Sequence, residues 1–173
     1  HLGPGLEGRH ARRVIDASGL VVAPGFIDPH SHTDVELLVN PRAESKIRQG
    51  VTTEIGGNCG FTFFPLSDES FAQRGRILRE KYDLALDWRD IRGFFRRLEQ
   101  GGIALNYATL LGHGTLREAI VGCEDRVSED HEVEEMKSIV EDCIEAGALG
   151  LSTGLIYTPG GFAQQEEIID LCR

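Results

Sequence analysis

Apolar, β-branched runs alternate with helix-period segments along this chain, and that alternation restricts the fold more than any other feature. The runs are Phe26 to His32, Val51 to Ile55, Ala104 to Leu111 and Ala148 to Thr153. Between the first two, Arg42 to Gln49 reads as a short helix closed by Gly50. Trp88, Ile91, Phe94, Phe95 and Leu98 then share one face of a helix capped by Asp87 and ended by Gly101-Gly102. Val133, Met136, Val140, Cys143 and Ile144 form the buried stripe of another, with Ser128 as N-cap and Gly147 as its end. A last helix starts near Ala163 and carries Ile168, Ile169 and Leu171. Strands that alternate with helices imply a parallel sheet, because a parallel connection needs a crossover long enough to hold a helix. The expected class is α/β, with every βα loop opening on the same side of the sheet.

Two stretches fall outside the pattern. Val14-Ile15 and Leu20-Val21-Val22 flank the turn residues Asp16-Ala17-Ser18-Gly19 and suggest a β-hairpin before residue 25. Phe61 to Asp87 is the least regular part and reads as an insertion. Eight of the 18 Lys and Arg residues lie between Arg74 and Arg97, a cluster better explained as a solvated helix face than as a binding patch.

The polar signals collect at the ends of the runs. His30 and His32 close the first; strand side chains i and i+2 point the same way, so both imidazoles could reach one metal ion. A His-x-His pair also occurs by chance on surfaces, and its position at the tip of an apolar run is what favours a ligand pair. Cys59, in Gly56-Gly57-Asn58-Cys59-Gly60, follows the second run between glycines that allow tight turns and close approach of a ligand. A nearby divalent metal would hold its thiol as thiolate, and a buried inert cysteine is the competing reading. His113 follows the third run, and Ser152, Thr153 and Tyr157 end the fourth.

Charge and composition exclude other classes. A formal net charge of −10 argues against broad nucleic-acid or anionic-membrane binding, since both need a basic face. No run approaches the ~20 apolar residues that span a bilayer. With 173 residues, 40% of them hydrophobic, a sizeable core is within reach. Cys59, Cys123, Cys143 and Cys172 are far apart, which suits a reducing compartment, so a cytoplasmic location is expected; Cys143, on the apolar face of its helix, reads as core filler.

The motifs together resemble a known family. Asp16-Ala-Ser-Gly19, Pro24-Gly-Phe-Ile-Asp-Pro-His-Ser-His-Thr-Asp34, Gln49-Gly-Val-Thr-Thr53, Gly57-Asn-Cys-Gly60, Gly112-His-Gly-Thr-Leu-Arg117 and Gly147 to Pro159 look like the N-acyl-D-amino-acid deacylases (D-aminoacylases) of the amidohydrolase superfamily. The resemblance implies about four βα units from the N-terminal portion of a metal-dependent (β/α)8 TIM barrel, residues 25–173, preceded by the remnant of a small β-sandwich, residues 1–24. It implies one or two Zn2+ ions, with His30 and His32 on the more weakly held metal and Cys59 on the tightly held one. Tyr157 would face the substrate, and His113 would pack or fix a loop. Two further histidines and a general-base aspartate are expected beyond Arg173, so the 173-residue piece alone should have little deacylase activity. The expected reaction is hydrolysis of the amide of a small N-acyl-D-amino acid to a carboxylate and a D-amino acid. A cyclic-amide hydrolase of the dihydropyrimidinase or hydantoinase type is the alternative. A catalytically silent half-barrel that self-associates through its open edges is another.

Overall fold

The computed structural model describes residue 10 and residues 12–173. β1 (Phe26–Asp28), β2 (Val51–Gly56) and β3 (Asn106–Thr109) form a parallel sheet in that order. β4 (Leu111–Gly112) pairs in parallel with β5 (Leu151–Ser152). Only Leu110 separates β3 from β4, and the bonds from Leu149 N to Thr109 O and from Leu111 N to Gly150 O, each 2.8 Å, run across the break. The strands therefore follow one another side by side in sequence order, as the alternation predicts.

The helices are α1 (Glu36–Val39), α2 (Glu44–Ile47), α3 (Asp68–Tyr82), α4 (Ile91–Gly101), α5 (His113–Ile120), α6 (Asp130–Glu145) and α7 (Gln165–Leu171). The apolar stripes read from the sequence lie mostly where periodicity puts them: Trp88, Ile91, Phe94 and Leu98 are buried, as are Met136 and Cys143, against Leu78, Leu105, Leu111 and Leu116, with Val133 and Val140 partly buried; Ile144, expected in the same stripe, is instead 45% exposed at the end of α6. Cys143 is the core filler expected of it, its thiol pushed up to about 12 by burial. Among the described residues no helix is long and apolar enough to cross a membrane.

Several expectations need correction. The segment from Phe61 to Asp87 is not an irregular insertion; it contains the 15-residue α3, whose N-cap Ser67 accepts a hydrogen bond from Ser70 N and whose first turn holds Asp68 and Glu69. The cap of α4 is Asp90, which accepts from Gly93 N, and not Asp87. Glu129, rather than Ser128, caps α6 through a reciprocal capping box with Glu132. His113, at the strand end where the sequence puts it, opens α5 directly after β4.

The predicted hairpin forms its turn only. Leu20 N bonds Ala17 O and Ser18 N bonds Asp16 Oδ1, both at 2.9 Å, yet Val14, Ile15, Leu20, Val21 and Val22 are exposed and unpaired among the described residues. A two-stranded ribbon with no further strand or helix to pack on is marginal in water. The rest of the expected 1–24 element, residues 1–9 and 11, lies outside the described residues. β1 is likewise shorter than the Phe26 to His32 run and is not buried: among the described residues it is an edge strand, with Phe26 61% and Ile27 63% exposed.

The basic cluster divides. Arg76, Arg79, Lys81, Arg89, Arg92 and Arg96 are the solvated residues expected, but Arg74 is buried, stacked 4.8 Å from the Phe61 ring and paired with Glu118.

The capping box of α6 makes a pH-dependent contribution. Hydrogen bonds from Arg126, at 2.6 and 2.8 Å, hold the Glu132 carboxyl down at about 2, and the Glu129 backbone N–H adds to them. A carboxylate with a depressed folded-state pKa stabilises the fold above its ordinary range, and that stabilisation disappears as pH falls towards about 2. Glu132→Gln is expected to cost about 1 kcal/mol at neutral pH and to flatten the loss of stability on acidification, measured as urea midpoints at stepped pH. Parallel wild-type and variant curves would contradict this role.

Candidate metal centre

His30 and His32 lie beyond the end of β1, in a bend and loop, so their convergence is not the strand alternation that the spacing suggested. The loop nevertheless brings the rings together in an edge-to-face contact, centroids 5.4 Å apart. Cys59 Sγ stands 3.3 Å from His30 Nε2, and the ligand atoms of His30, His32 and Cys59 all lie within 4.8 Å of one another. Both histidines are exposed and Cys59 is half-buried.

The turn that presents Cys59 is held from three sides. Cys59 itself has φ +56°, a left-handed conformation that a residue with a side chain adopts only when its surroundings require it. Ser152 Oγ, at the end of β5, accepts from Gly60 N at 3.0 Å and donates to Gly57 O. Asn58 Nδ2 donates to Ile55 O at 2.8 Å and to Ser31 O at 3.2 Å, tying the cysteine turn to the histidine loop. Close approach explains two glycines of the motifs: a Cβ on Gly112 would stand 2.6 Å from Gly60 C, and one on Gly154 would stand 2.0 Å from Cys59 O. The Gly112-His113-Gly114 and Leu151-Ser-Thr-Gly154 segments are thus packed against the cysteine turn.

The sequence reading missed Asp34 and Tyr107. Asp34 Oδ1 accepts from Gly57 N at 3.1 Å and from Tyr107 Oη at 2.8 Å, so one carboxylate joins the histidine loop, the cysteine turn and β3. Burial raises the Asp34 carboxyl above its ordinary range against these hydrogen bonds, and burial together with the Asp34 charge pushes the Tyr107 phenol up as well. Only the position of Asp34 at the end of the His-Ser-His-Thr-Asp run could have pointed to it; Tyr107 is 73 residues away.

Beside these groups is a cleft of about 370 Å³ lined by His32, Cys59, Phe61, Thr115, Glu118 and Tyr157 among others. Tyr157 is 60% exposed in the loop after β5 and faces the same cleft as the histidine and the cysteine. His113 does not reach it. It is fully buried, and its Nε2 lies 2.7 Å from Glu167 Oε1, in the structural role expected of it.

Parallel strands each feeding a helix, with two imidazoles and a thiol gathered where the first two strands end, define an α/β protein with a candidate metal centre at the strand C-termini. The chain belongs to the amidohydrolase family, whose profile matches residues 13–170. It is 40% identical over 162 residues to an N-acyl-D-aspartate deacylase of Alcaligenes xylosoxydans xylosoxydans, covering 92% of this chain and 32% of that protein. A D-aminoacylase of the same organism is 39% identical over 172 residues, with 97% of this chain and 34% of the relative covered. The crystal structure of a D-aminoacylase described as defining a novel subset of amidohydrolases superposes with a TM-score of 0.83 at 37% identity, over 96% of this chain and 35% of that one. An N-acyl-D-glutamate deacylase from Bordetella bronchiseptica, complexed with zinc and a phosphonate inhibitor, gives the same TM-score at 36% identity, over 96% of this chain and 34% of that one. The family resemblance read from the motifs therefore holds, and the α/β class corresponds to part of the amidohydrolase barrel. The chain spans about a third of the length of the curated relatives it matches.

Proposed function

We propose that this chain carries the metal-binding part of a zinc-dependent hydrolase that cleaves the amide bond of small N-acyl-D-amino acids, giving a carboxylate and a D-amino acid. The observation that carries the reading is the meeting of Cys59 Sγ with His30 and His32 at the mouth of a cleft. The donor set fits the ion. One sulfur and two nitrogens are ligand types that zinc takes, and a tetrahedral ion touching both Cys59 and His30 would hold S and N roughly 3.6 Å apart, close to the 3.3 Å between Cys59 Sγ and His30 Nε2, so Cys59 is within reach of the metal assigned to the histidine pair as well as of its own. Bound there, zinc would supply Lewis acidity to activate water and polarise the amide carbonyl.

The chain's own residues do the remaining work assigned to them. Ser152, Asn58 and Asp34 fix the loops that aim the three donors. Tyr157 donates a hydrogen bond to the carbonyl oxygen as negative charge develops on it, a role supported by its lining the same cleft as His32 and Cys59. Phe61 and Thr115 wall the cleft in which the acyl amino acid lies. The D-aminoacylase and N-acyl-D-aspartate and N-acyl-D-glutamate deacylase relatives support the linear amide over the cyclic one.

The test uses the full-length protein with zinc, offered N-acetyl-D-methionine, N-acetyl-D-aspartate, their L enantiomers and a hydantoin. Turnover of D substrates alone is expected, and Tyr157→Phe should lower kcat by about 10²-fold with a much smaller change in KM. Preference for the hydantoin would replace the proposal by the cyclic-amide reading, and no loss in Tyr157→Phe would remove the tyrosine from it.

A further inference from the structure

Asp28 and Glu54 are register partners on the adjacent parallel strands β1 and β2, so their carboxylates stand side by side on one face of the sheet. Glu54 is fully buried, and two neighbouring anions in such a place are unfavourable without a cation. Lys46, from α2, supplies it: its Nζ is 2.5 Å from Asp28 Oδ2 and 2.8 Å from Glu54 Oε1. Each carboxylate then turns its second oxygen towards the loop that carries the histidines. Asp28 Oδ1 accepts from His30 N at 3.2 Å, and Glu54 Oε2 accepts from Thr33 Oγ1 at 2.6 Å. Thr33 Oγ1 is also 3.2 Å from Ser31 Oγ. One ammonium thus fixes two carboxylates, and the two carboxylates grip the loop on either side of His32.

We propose that Lys46, Asp28, Glu54 and Thr33 form a positioning clamp that sets the His30 and His32 rings in the orientation needed to bind zinc, a role that rests on the metal reading above. Asp28 anchors the main chain at the first ligand, and Glu54 holds the Thr33 side chain one residue after the second. With the clamp intact the loop reaches the metal already ordered. Without it the loop must be ordered at the moment of binding, which lowers affinity without removing a ligand.

Thr33→Val deletes the link to the loop while keeping the side-chain shape and the contacts of Lys46 with Asp28 and Glu54. Zinc affinity, measured by chelator competition on the full-length protein, is expected to fall about 10-fold or more in Thr33→Val and in Lys46→Met, and to return to near wild type in Thr33→Ser. Thr33→Val also leaves the fully buried Glu54 Oε2 without its donor, so its metal-free urea midpoint is expected to fall, and zinc affinities are compared without denaturant on variants shown to be folded. A second readout needs no metal: the imidazole ring signals of His30 and His32 in 1H–15N spectra of the metal-free protein should shift or broaden in both variants, with those of His113 unmoved. Variants that lose stability yet keep wild-type zinc affinity and wild-type His30 and His32 signals would overturn the clamp and leave a purely structural ion cluster. Should the wild-type protein take up no zinc, the metal reading falls, and the histidine signals alone decide whether the clamp exists.

Discussion

Replacing Cys59 is expected to abolish zinc retention and deacylase activity together. Removing a group that merely orients a ligand costs about 10–100-fold in metal affinity, so deleting the sulfur itself should cost more than ~100-fold. The backbone complicates the choice of variant, because Cys59 sits at φ +56°. Asparagine tolerates the left-handed region better than alanine does, so Cys59→Asn tests the loss of sulfur with the turn least disturbed. Cys59→Ala should agree with it. Metal content after gel filtration and a chelator-competition Kd provide the readouts. Stoichiometric zinc at wild-type affinity in both variants would take Cys59 out of the site.

Glu167→Ala should be the most destabilising single substitution described here, at about 3–5 kcal/mol. His113 and Arg117, one helical turn apart on α5, are both fully buried and both meet Glu167 on α7, His113 Nε2 at 2.7 Å from Oε1 and Arg117 Nη1 bonded to Oε2. Ser128 Oγ donates to Oε2 at 2.7 Å. Burial works to raise the Glu167 carboxyl, but the hydrogen bonds from His113 and Ser128 and the Arg117 charge outweigh it and hold the group below its ordinary range. A carboxylate only accepts, so His113 Nε2 carries the proton in this contact. Deleting the carboxylate leaves a buried guanidinium with only the Arg126 carbonyl and an imidazole with no partner for either nitrogen. Urea unfolding measures the loss. Glu167→Gln, which keeps an acceptor, should lose less and provides a folded protein if the alanine variant does not fold. A loss below about 1 kcal/mol in the alanine variant would show that the contact is replaced by water.

The elements read most accurately were those whose signal is periodic and whose neighbours are near in sequence. α4 and α6 show their buried stripes directly, and β2 shows β-branched residues between the helix-stopping Gly50 and a glycine turn. Where a cap had to be chosen among adjacent polar residues, local reasoning chose Asp87 and Ser128 and the structure uses Asp90 and Glu129, because which side chain meets an open backbone N–H depends on how the chain enters the helix. α3 was missed because it is mostly exposed and polar, with only Ser70, Arg74 and Leu78 buried, so it offers little apolar periodicity. An apolar run such as Phe26 to His32 suggests a strand buried on both faces, yet Phe26 and Ile27 are exposed because β1 has a strand on one side only among the described residues.

His30, His32 and Cys59 were legible as candidate ligands because residue type and a glycine-flanked turn are properties of short segments. The α/β class was legible for the same reason: strand and helix periods are written over five to fifteen residues. What holds the three donors together was not. Ser152 reaches Gly60 across 92 residues, Tyr107 reaches Asp34 across 73, and Thr33 reaches Glu54 across 21. Those partners are chosen by the stacking of parallel strands, which places the ends of distant segments side by side. No local pattern encodes that adjacency, and only the folded chain decides it.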